Sequence, residues 1–314
     1  MTGVQTCALP IYGHRAEVRF DRSGAVTMFS GSCTQGQGHE TVFKQLVCDR
    51  LGLDPAGVTY LQGDTDQVFF GEGTGGSRSA TMAGSAFHIA SDKIITKAKA
   101  IAAHALKVPV DTVKFADGIL SSPNTNQTIT IQEVAKLATQ PAALPKGMEG
   151  GLTATAVYTA EVASYPNGCH VCEVEIDAET GVTEIVRYNV VDDVGTVLNP
   201  MLLHGQIVGG IAQGAGQILM ENIHFDAGGQ LVTGSFMDYA MPRAADIPDV
   251  EVESNPVPTK TNPLGVKGAG EAGSVGAMPA VANAIVDALS EFGVRHIAMP
   301  ATPEVVWRAI IGAG

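Results

Sequence analysis

The sequence predicts an α+β fold, in which two intertwined mixed α/β subdomains use hairpins and glycine-rich loops to lead into helices. Three observations predict it. Strand-pair and helix patterns are interspersed without the regular alternation of a doubly wound parallel sheet. Glycine-rich turns run twice into helical periodicity within the first third of the chain. A length of 314 residues corresponds to two domains of roughly 150 residues each.

The first eleven residues, "MTGVQTCALPI", carry no charge and no long apolar core, so they do not read as a signal peptide. They resemble the translation of a common sequencing-library adapter. We therefore set Met1–Ile11 aside from the fold and expect the biological chain to continue upstream of Tyr12. "AEVRFDRSGAVTMFSGS" places Val18, Phe20, Val26 and Met28 around a glycine turn, which is hairpin spacing. In "GSCTQGQGHETVFKQLVCDRLG" the period changes: Val42, Phe43, Leu46, Val47 and Leu51 fit one face of a helix that starts near Gly38 and stops at Gly52. A second glycine loop, "GEGTGGSRSATMAGS", opens a long helix running to about Leu106. Prolines and glycines from Pro141 to Gly151 mark the candidate boundary between a first part, 12–145, and a second, 146–314. Beyond it, Cys172, Val174 and Ile176 alternate with Glu173, Glu175 and Asp177, and the chain turns at "AETG" into a second hairpin strand. "NPMLLHGQIVGGIAQGAGQILMEN" reads as a closely packed helix and "NIHFDAGGQLVTGSF" as another hairpin. "MPAVANAIVDALSEF" reads as a helix with Pro279 near its first turn and Ala284, Ile285, Ala288 and Leu289 on one face.

Composition narrows the function. With 45% hydrophobic and 16% charged residues the chain can bury a core. A net charge of −13, with no basic patch visible in the sequence, argues against nucleic acid or an anionic membrane as partner. The apolar run Leu202–Met220 is interrupted by His204, Gln206, Gln213 and glycines, and no other stretch reaches the roughly 20 apolar residues of a membrane span. Without Cys7, the cysteines at 33, 48, 169 and 172 are scattered, as expected in a reducing, cytoplasmic compartment.

Among the motifs, two glycine triplets match the dinucleotide fingerprint, at Gly71, Gly73, Gly76 and at Gly268, Gly270, Gly273. Neither follows a clear strand, which argues against a nicotinamide site. "GHET" lacks the second histidine of a zinc helix, with Phe43 in its place, and Cys169 and Cys172 face opposite sides of one strand. Glycine loops feeding helix starts leave backbone N–H groups open to an anion, and Gln35, Gln37, Thr74, Ser77 and Ser79 add neutral donors. The same glycines also serve tight turns and close helix packing, so both readings stand.

Five segments in this order carry a resemblance: "QGQGHET", "GDTDQVFFGEGTGGSRS", "DDVGTVLNPMLLHGQIVGGIAQG", "DYAMPRAADIP" and "NPLGVKGAGEAGSVGAMPAVANAIVDAL". Together they resemble the C-terminal half of the molybdenum-binding large subunit of the xanthine dehydrogenase, aldehyde oxidoreductase and carbon monoxide dehydrogenase family. The resemblance implies a molybdenum–molybdopterin cofactor in its cytosine dinucleotide form, with the metal held by the pterin's own sulfurs and by no side chain of this chain. It implies cofactor contacts at Gln35, Gly36, Gln37 and Gly38, at Thr74, Gly75, Gly76, Ser77 and Ser79, and at Gln206, with Asp192, Lys267 and Gly268 as further contacts. Gly75 stands where many relatives carry a tyrosine. The resemblance implies oxidation of an aldehyde, an N-heterocycle or carbon monoxide with oxygen from water at the molybdenum cofactor, with Glu271 as the catalytic general base that takes the proton. Expected partners are the upstream half of the same subunit and further subunits carrying iron–sulfur clusters and FAD, in a hetero-oligomer. A non-catalytic cofactor-binding or assembly module on the same scaffold is the alternative, and a helix-cap role is the alternative for Glu271 itself.

Overall fold

The computed structural model describes residues 13–68, 70–71 and 73–312. The adapter-like segment Met1–Ile11 lies outside the described residues. Two compact units divide the chain, one running to Ser164 and joined by Thr259–Val266, the other comprising Tyr165–Pro258 and the chain from Lys267.

In the first unit, β1 (His14–Phe20) pairs antiparallel with β2 (Val26–Ser30), Val18 opposite Met28. Asp21 closes the turn by accepting from the N–H groups of Ser23 and Ala25. Helix α1 (His39–Leu51) links β2 to β3 (Val58–Gln62), which runs parallel to it, as a crossover helix allows. Gly38 and Gly52 flank α1 in the left-handed region, and a Cβ at Gly52 would lie 2.0 Å from the amide of Gly118. Helix α2 (Ser79–Leu106) is buried through Ala83, Ala86, Phe87, Ala90, Ile94 and Ala98. With α1 it covers one sheet face, where Val18, Met28, Phe43 and Val47 complete the core. A small antiparallel sheet of β4 (Lys114–Ala116), β5 (Ile119–Ser121) and β6 (Thr128–Thr130) leads into α3 (Ile131–Ala138). A reciprocal Thr130–Glu133 capping box starts α3.

The division expected at 145/146 falls instead after Ser164, because β7 (Leu152–Tyr158) pairs along its whole length with β1, Tyr158 opposite His14 and Leu152 opposite Phe20. Thr259–Val266 returns to this unit, where Thr261 accepts a 2.9 Å bond from the Tyr158 hydroxyl and the Leu264 side chain packs against Gly84 of α2. The first unit thus takes in one segment from the later part of the chain.

The second unit has a sheet in the order β10-β9-β8. Strands β8 (Asn167–Ile176) and β9 (Thr183–Asp193) form the expected hairpin, with Cys172, Val174 and Ile176 facing the core and Glu173 and Glu175 facing out. Helix α4 (Pro200–Leu219) is capped by Asn199, and β10 (Val250–Ser254) lies parallel to β9. Helix α5 (Ala272–Ala288) and α6 (Pro303–Gly312) follow. Helices α4 and α5 meet backbone to backbone: a Cβ at Gly210 would lie 2.9 Å from the Ser274 amide, and one at Gly214 2.8 Å from the Ala277 methyl. Glycine here permits approach that no larger residue would.

Two element readings are corrected. Helix α5 begins seven residues before Pro279 (279 − 272), so this proline sits inside the helix. Packing of Gly273, Ala277, Val281 and Ile285 into the core outweighs the lost hydrogen bond. The hairpin expected over "NIHFDAGGQLVTGSF" is reduced to one bridge, Phe225 with Leu231. Its Asp226 turn forms, but the flanking Phe225, Leu231 and Val232 stay exposed, so no buried face rewards further pairing. Among the described residues, Ala272–Phe292 is long and apolar enough to cross a membrane by length and composition, although it lies packed against α4 and β8.

Candidate functional site

The predicted residues fall in two places, one in each unit. In the first unit the loops after β2 and β3 cross. A Cβ on Gly31 would lie 2.6 Å from Gly71 Cα, and one on Gly71 only 2.3 Å from the Gly31 carbonyl oxygen. The Gly73 amide donates to that same oxygen at 3.2 Å. Only two glycines allow this crossing, and it sets "QGQG" beside "TGGSRS".

Around the crossing the donors gather. Ser32 Oγ lies 3.0 Å from both Thr74 Oγ1 and Ser79 Oγ, and Thr74 Oγ1 donates to the Cys33 carbonyl at 2.5 Å. Gln37 Nε2 donates to Gln35 Oε1 at 3.0 Å, and Gln37 Oε1 accepts from the Gln35 amide and from Thr34 Oγ1. The two glutamines thus brace their own loop. Gly36, Gly38, Gly73 and Gly76 all adopt positive φ, as does Ser77 at 52°. Both α1 and α2 begin here, and neither has a side-chain cap on its first-turn amides. At Gly36, Gly73 and Gly75 a Cβ would meet nothing within 4 Å, so backbone borders open space. Ser32, which the sequence reading missed, is fully buried at the centre of the hydroxyl cluster. Its signal was the "SGSC" immediately before the glutamine loop.

Two buried histidines lie in the same unit. His14 is 8% exposed, and neither its Nε2 nor His39 Nδ1 has a hydrogen-bond partner. Burial, then the charges of Arg78 and His39, pushes His14 from 6.5 down to about 4, and burial also lowers His39. The folded state therefore binds fewer protons than the unfolded one between those values. Stability is complete above about pH 6.5 and falls as pH drops toward 4, by roughly 3 kcal/mol for His14 alone. Urea melts at pH 7 and 4.5 should show that loss, and His14→Phe should remove much of it. An equal loss in both proteins refutes the assignment to His14.

In the second unit, Glu271 is the N-cap residue of α5. It is half-buried, its carbonyl accepts from Val275 N at 3.0 Å and from Ser274 Oγ at 3.1 Å, and its side chain makes no cap hydrogen bond. Of the helix-cap alternative, the side-chain hydrogen bond is not formed, and the charge at the N-terminal end of α5 stays. A Cβ at Gly273 would lie 2.3 Å from the Ile207 carbonyl oxygen, so the stretch of α4 carrying Gln206, itself half-buried, is seated on the turn that follows Glu271. Gly268 is buried. Lys267 Nζ pairs with Asp193 Oδ2, and its amide donates to the Val194 carbonyl at 2.7 Å. Asp192, one residue along β9, faces the other side of the strand, is buried, and lies against His170. Among the described residues no group of three or more His, Cys, Asp and Glu side chains could hold a metal ion. Among the described residues no strand immediately precedes either glycine triplet, since β3 ends at Gln62 and β10 at Ser254.

Against this geometry the chain was compared with known proteins. The carbon monoxide dehydrogenase large chain of Hydrogenophaga pseudoflava is 36% identical over 296 residues, 94% of this chain and 36% of that protein. The nicotine 6-hydroxylase large subunit of Paenarthrobacter nicotinovorans is 36% identical over 307 residues, 97% of this chain and 38% of that protein. The crystal structure of a Cu,Mo-CO dehydrogenase in its carbon monoxide reduced state superposes with a TM-score of 0.89 at 33% identity, over 96% of this chain and 38% of that one. The chain thus spans little more than a third of the relatives it matches. The model of the molybdopterin cofactor-binding domain matches residues 1–248. That match takes in the set-aside segment and every predicted site residue from Gln35 to Gln206. Covering well over half of the sequence, it places this chain in the molybdopterin cofactor-binding domain family.

Proposed function

We propose that this chain is the cofactor-binding part of the large subunit of a molybdenum hydroxylase that oxidises a small molecule, an aldehyde, an N-heterocycle or carbon monoxide. It works with the remaining half of the same subunit and with partner subunits that carry iron–sulfur clusters and FAD. The cofactor is the molybdenum–molybdopterin group in its cytosine dinucleotide form. When bound, that group supplies the two-electron redox chemistry.

The residues present fit such a group. Two helix starts without side-chain caps and bare glycine backbone bordering open space form a neutral donor set suited to phosphate oxygens, with Thr74, Ser77 and Ser79 as the hydroxyl side chains of the same loop. This is the observation that carries the proposal. Gln35 to Gly38 and Gly75 and Gly76 belong to the same cradle, and Gln206 is the amide suited to the pterin. Gly268 lets the main chain approach a bulky ligand, and Lys267 lies at the start of the same segment. Glu271 receives a proton on a carboxylate oxygen from the water-derived nucleophile, and the N-terminal end of α5 favours its charge.

Molybdenum and pterin content of the assembled enzyme tests the cradle. Thr74→Val and Ser79→Ala should each lower both contents together, roughly thirtyfold for the pair at one hydrogen bond of about 1 kcal/mol per hydroxyl. Turnover per molybdenum should not change. Full retention of metal and pterin in the double variant would refute the cradle.

A further inference from the structure

The core of the second unit holds a polar trio that the proposed chemistry does not use. Tyr188 is fully buried, and its hydroxyl lies 2.8 Å from His170 Nδ1, the rings edge to face at 85°. His170 Nε2 lies 3.5 Å from Asp192 Oδ1, each side chain only 6% exposed. The other carboxylate oxygen of Asp192 is buried without a hydrogen-bond partner. Room for this carboxylate across the hairpin comes from Gly168, whose Cβ would lie 1.9 Å from it. Burial first, then the nearby Cys172 and Asp192, raises the Tyr188 phenol. One ring nitrogen of His170 is hydrogen-bonded and the other faces the Asp192 carboxylate.

What the ring touches is helix α5. A Cβ at Gly276 would lie 2.4 Å from Nε2 and 2.5 Å from Cδ2 and Cε1 of His170, so the helix backbone rests on the imidazole with no space for a methyl group. Gly276 lies five residues after Glu271 (276 − 271). On its α4 side, the same stretch of helix is located by Gly273 against the Ile207 carbonyl. The first two turns of α5 are therefore positioned by rigid backbone and one ring, with no flexible side chain between. As a stability device such a trio is costly, since apolar packing of the same volume would serve at least as well.

We propose that His170, with its ring between Tyr188 and Asp192, is a positioning residue that sets the seat of α5 and so the place of the Glu271 carboxylate. The proposal rests on Glu271 being the general base, and it gives Asp192 a role toward His170 in place of a cofactor contact.

The test uses the assembled, cofactor-loaded enzyme with the best substrate among carbon monoxide, quinoline and benzaldehyde, followed by dye reduction. His170→Ala and Gly276→Ala should lower kcat per molybdenum by roughly ten- to a hundredfold, the scale of a displacement of about 1 Å, with KM within about twofold. Tyr188→Phe, which keeps the packing and drops the hydroxyl, should show a smaller loss in the same direction and decides the matter if His170→Ala does not fold. Hydrogen exchange of the segment 271–277 should quicken in all three, a readout independent of turnover. On a Glu271→Gln background the three substitutions should add no further loss of kcat. Wild-type kcat per molybdenum and unchanged exchange in Tyr188→Phe and His170→Ala, with Glu271→Gln inactive, overturn the positioning role alone. Full turnover in Glu271→Gln overturns the general base and this proposal with it.

Discussion

Glu271→Gln should lower turnover per molybdenum by roughly 10²- to 10⁴-fold, the range for removing a positioned general base, while molybdenum and pterin contents stay at the wild-type level. Glutamine keeps the volume and reach of the side chain but has no carboxylate oxygen to take a proton. The loss cannot be attributed to a missing helix cap, because the Glu271 side chain makes no cap bond to α5. What the substitution removes from stability is the charge at the helix N-terminus, about 0.3–1 kcal/mol, which shifts a melting curve by a few degrees at most. Glu271→Asp separates position from chemistry. It retains the carboxylate one methylene short of its place and should fall between the two. Metal and pterin assays beside dye-reduction kinetics make the comparison. A Glu271→Gln enzyme that holds its cofactor and turns over at the wild-type rate leaves a cofactor-holding module without catalysis at this residue.

The elements most legible in the sequence are those whose signal is local. Helix α1 is bounded by Gly38 and Gly52 as read, because a left-handed terminal residue favours glycine and leaves a mark in the sequence. The β8–β9 hairpin was legible because its two faces differ so plainly, Cys172, Val174 and Ile176 against Glu173 and Glu175. What was missed depends on distant partners. No local signal says that Leu152–Tyr158 pairs with β1 or that Thr259–Val266 crosses back to the first unit, so the boundary was drawn at the nearest run of prolines and glycines. Pro279 misled for a related reason: a proline is a good marker of a first turn until packing on both sides of the helix holds it elsewhere. At the candidate site, the loops and Glu271 came from motif, whereas Ser32, His170 and Tyr188 did not. They are single residues of common type, and only the fold brings Ser32 to Thr74 and His170 to Gly276. The capping box at Thr130 and Glu133 was open to reading as T-x-x-E, and it positions a small helix away from the donor loops.

Asp193→Asn should destabilise the second unit by roughly 1–3 kcal/mol, the cost of leaving one charge of a largely covered pair without its partner. Lys267 Nζ and Asp193 Oδ2 pair with side chains only 10% and 15% exposed, and the Asp193 Oδ1 atom accepts from the amides of Gly195 and Val257, both at 2.9 Å. One carboxylate therefore ties both ends of the excursion that leaves this unit after Pro258 and returns at Lys267. Burial alone would raise the Asp193 pKa, but the Lys267 hydrogen bond, the two amides and the Lys267 charge outweigh it and hold the group below the usual carboxylate range. A depressed folded value means that its contribution is complete above the unfolded pKa of about 3.9 and is lost as pH falls through the folded one. Wild type should therefore lose this increment in acid, and Asp193→Asn, lacking it already, should not. The double variant Asp193→Asn with Lys267→Met should regain much of the stability, because no charge is then left without its partner. Urea midpoints of the four proteins at pH 7 give the coupling, and a double variant no more stable than Asp193→Asn would show that the two side chains do not act as a pair. The same double variant also assigns Lys267. If molybdenum and pterin contents survive once stability is restored, the lysine braces the segment leading to Glu271, and if they fall, its ammonium group also serves the cofactor.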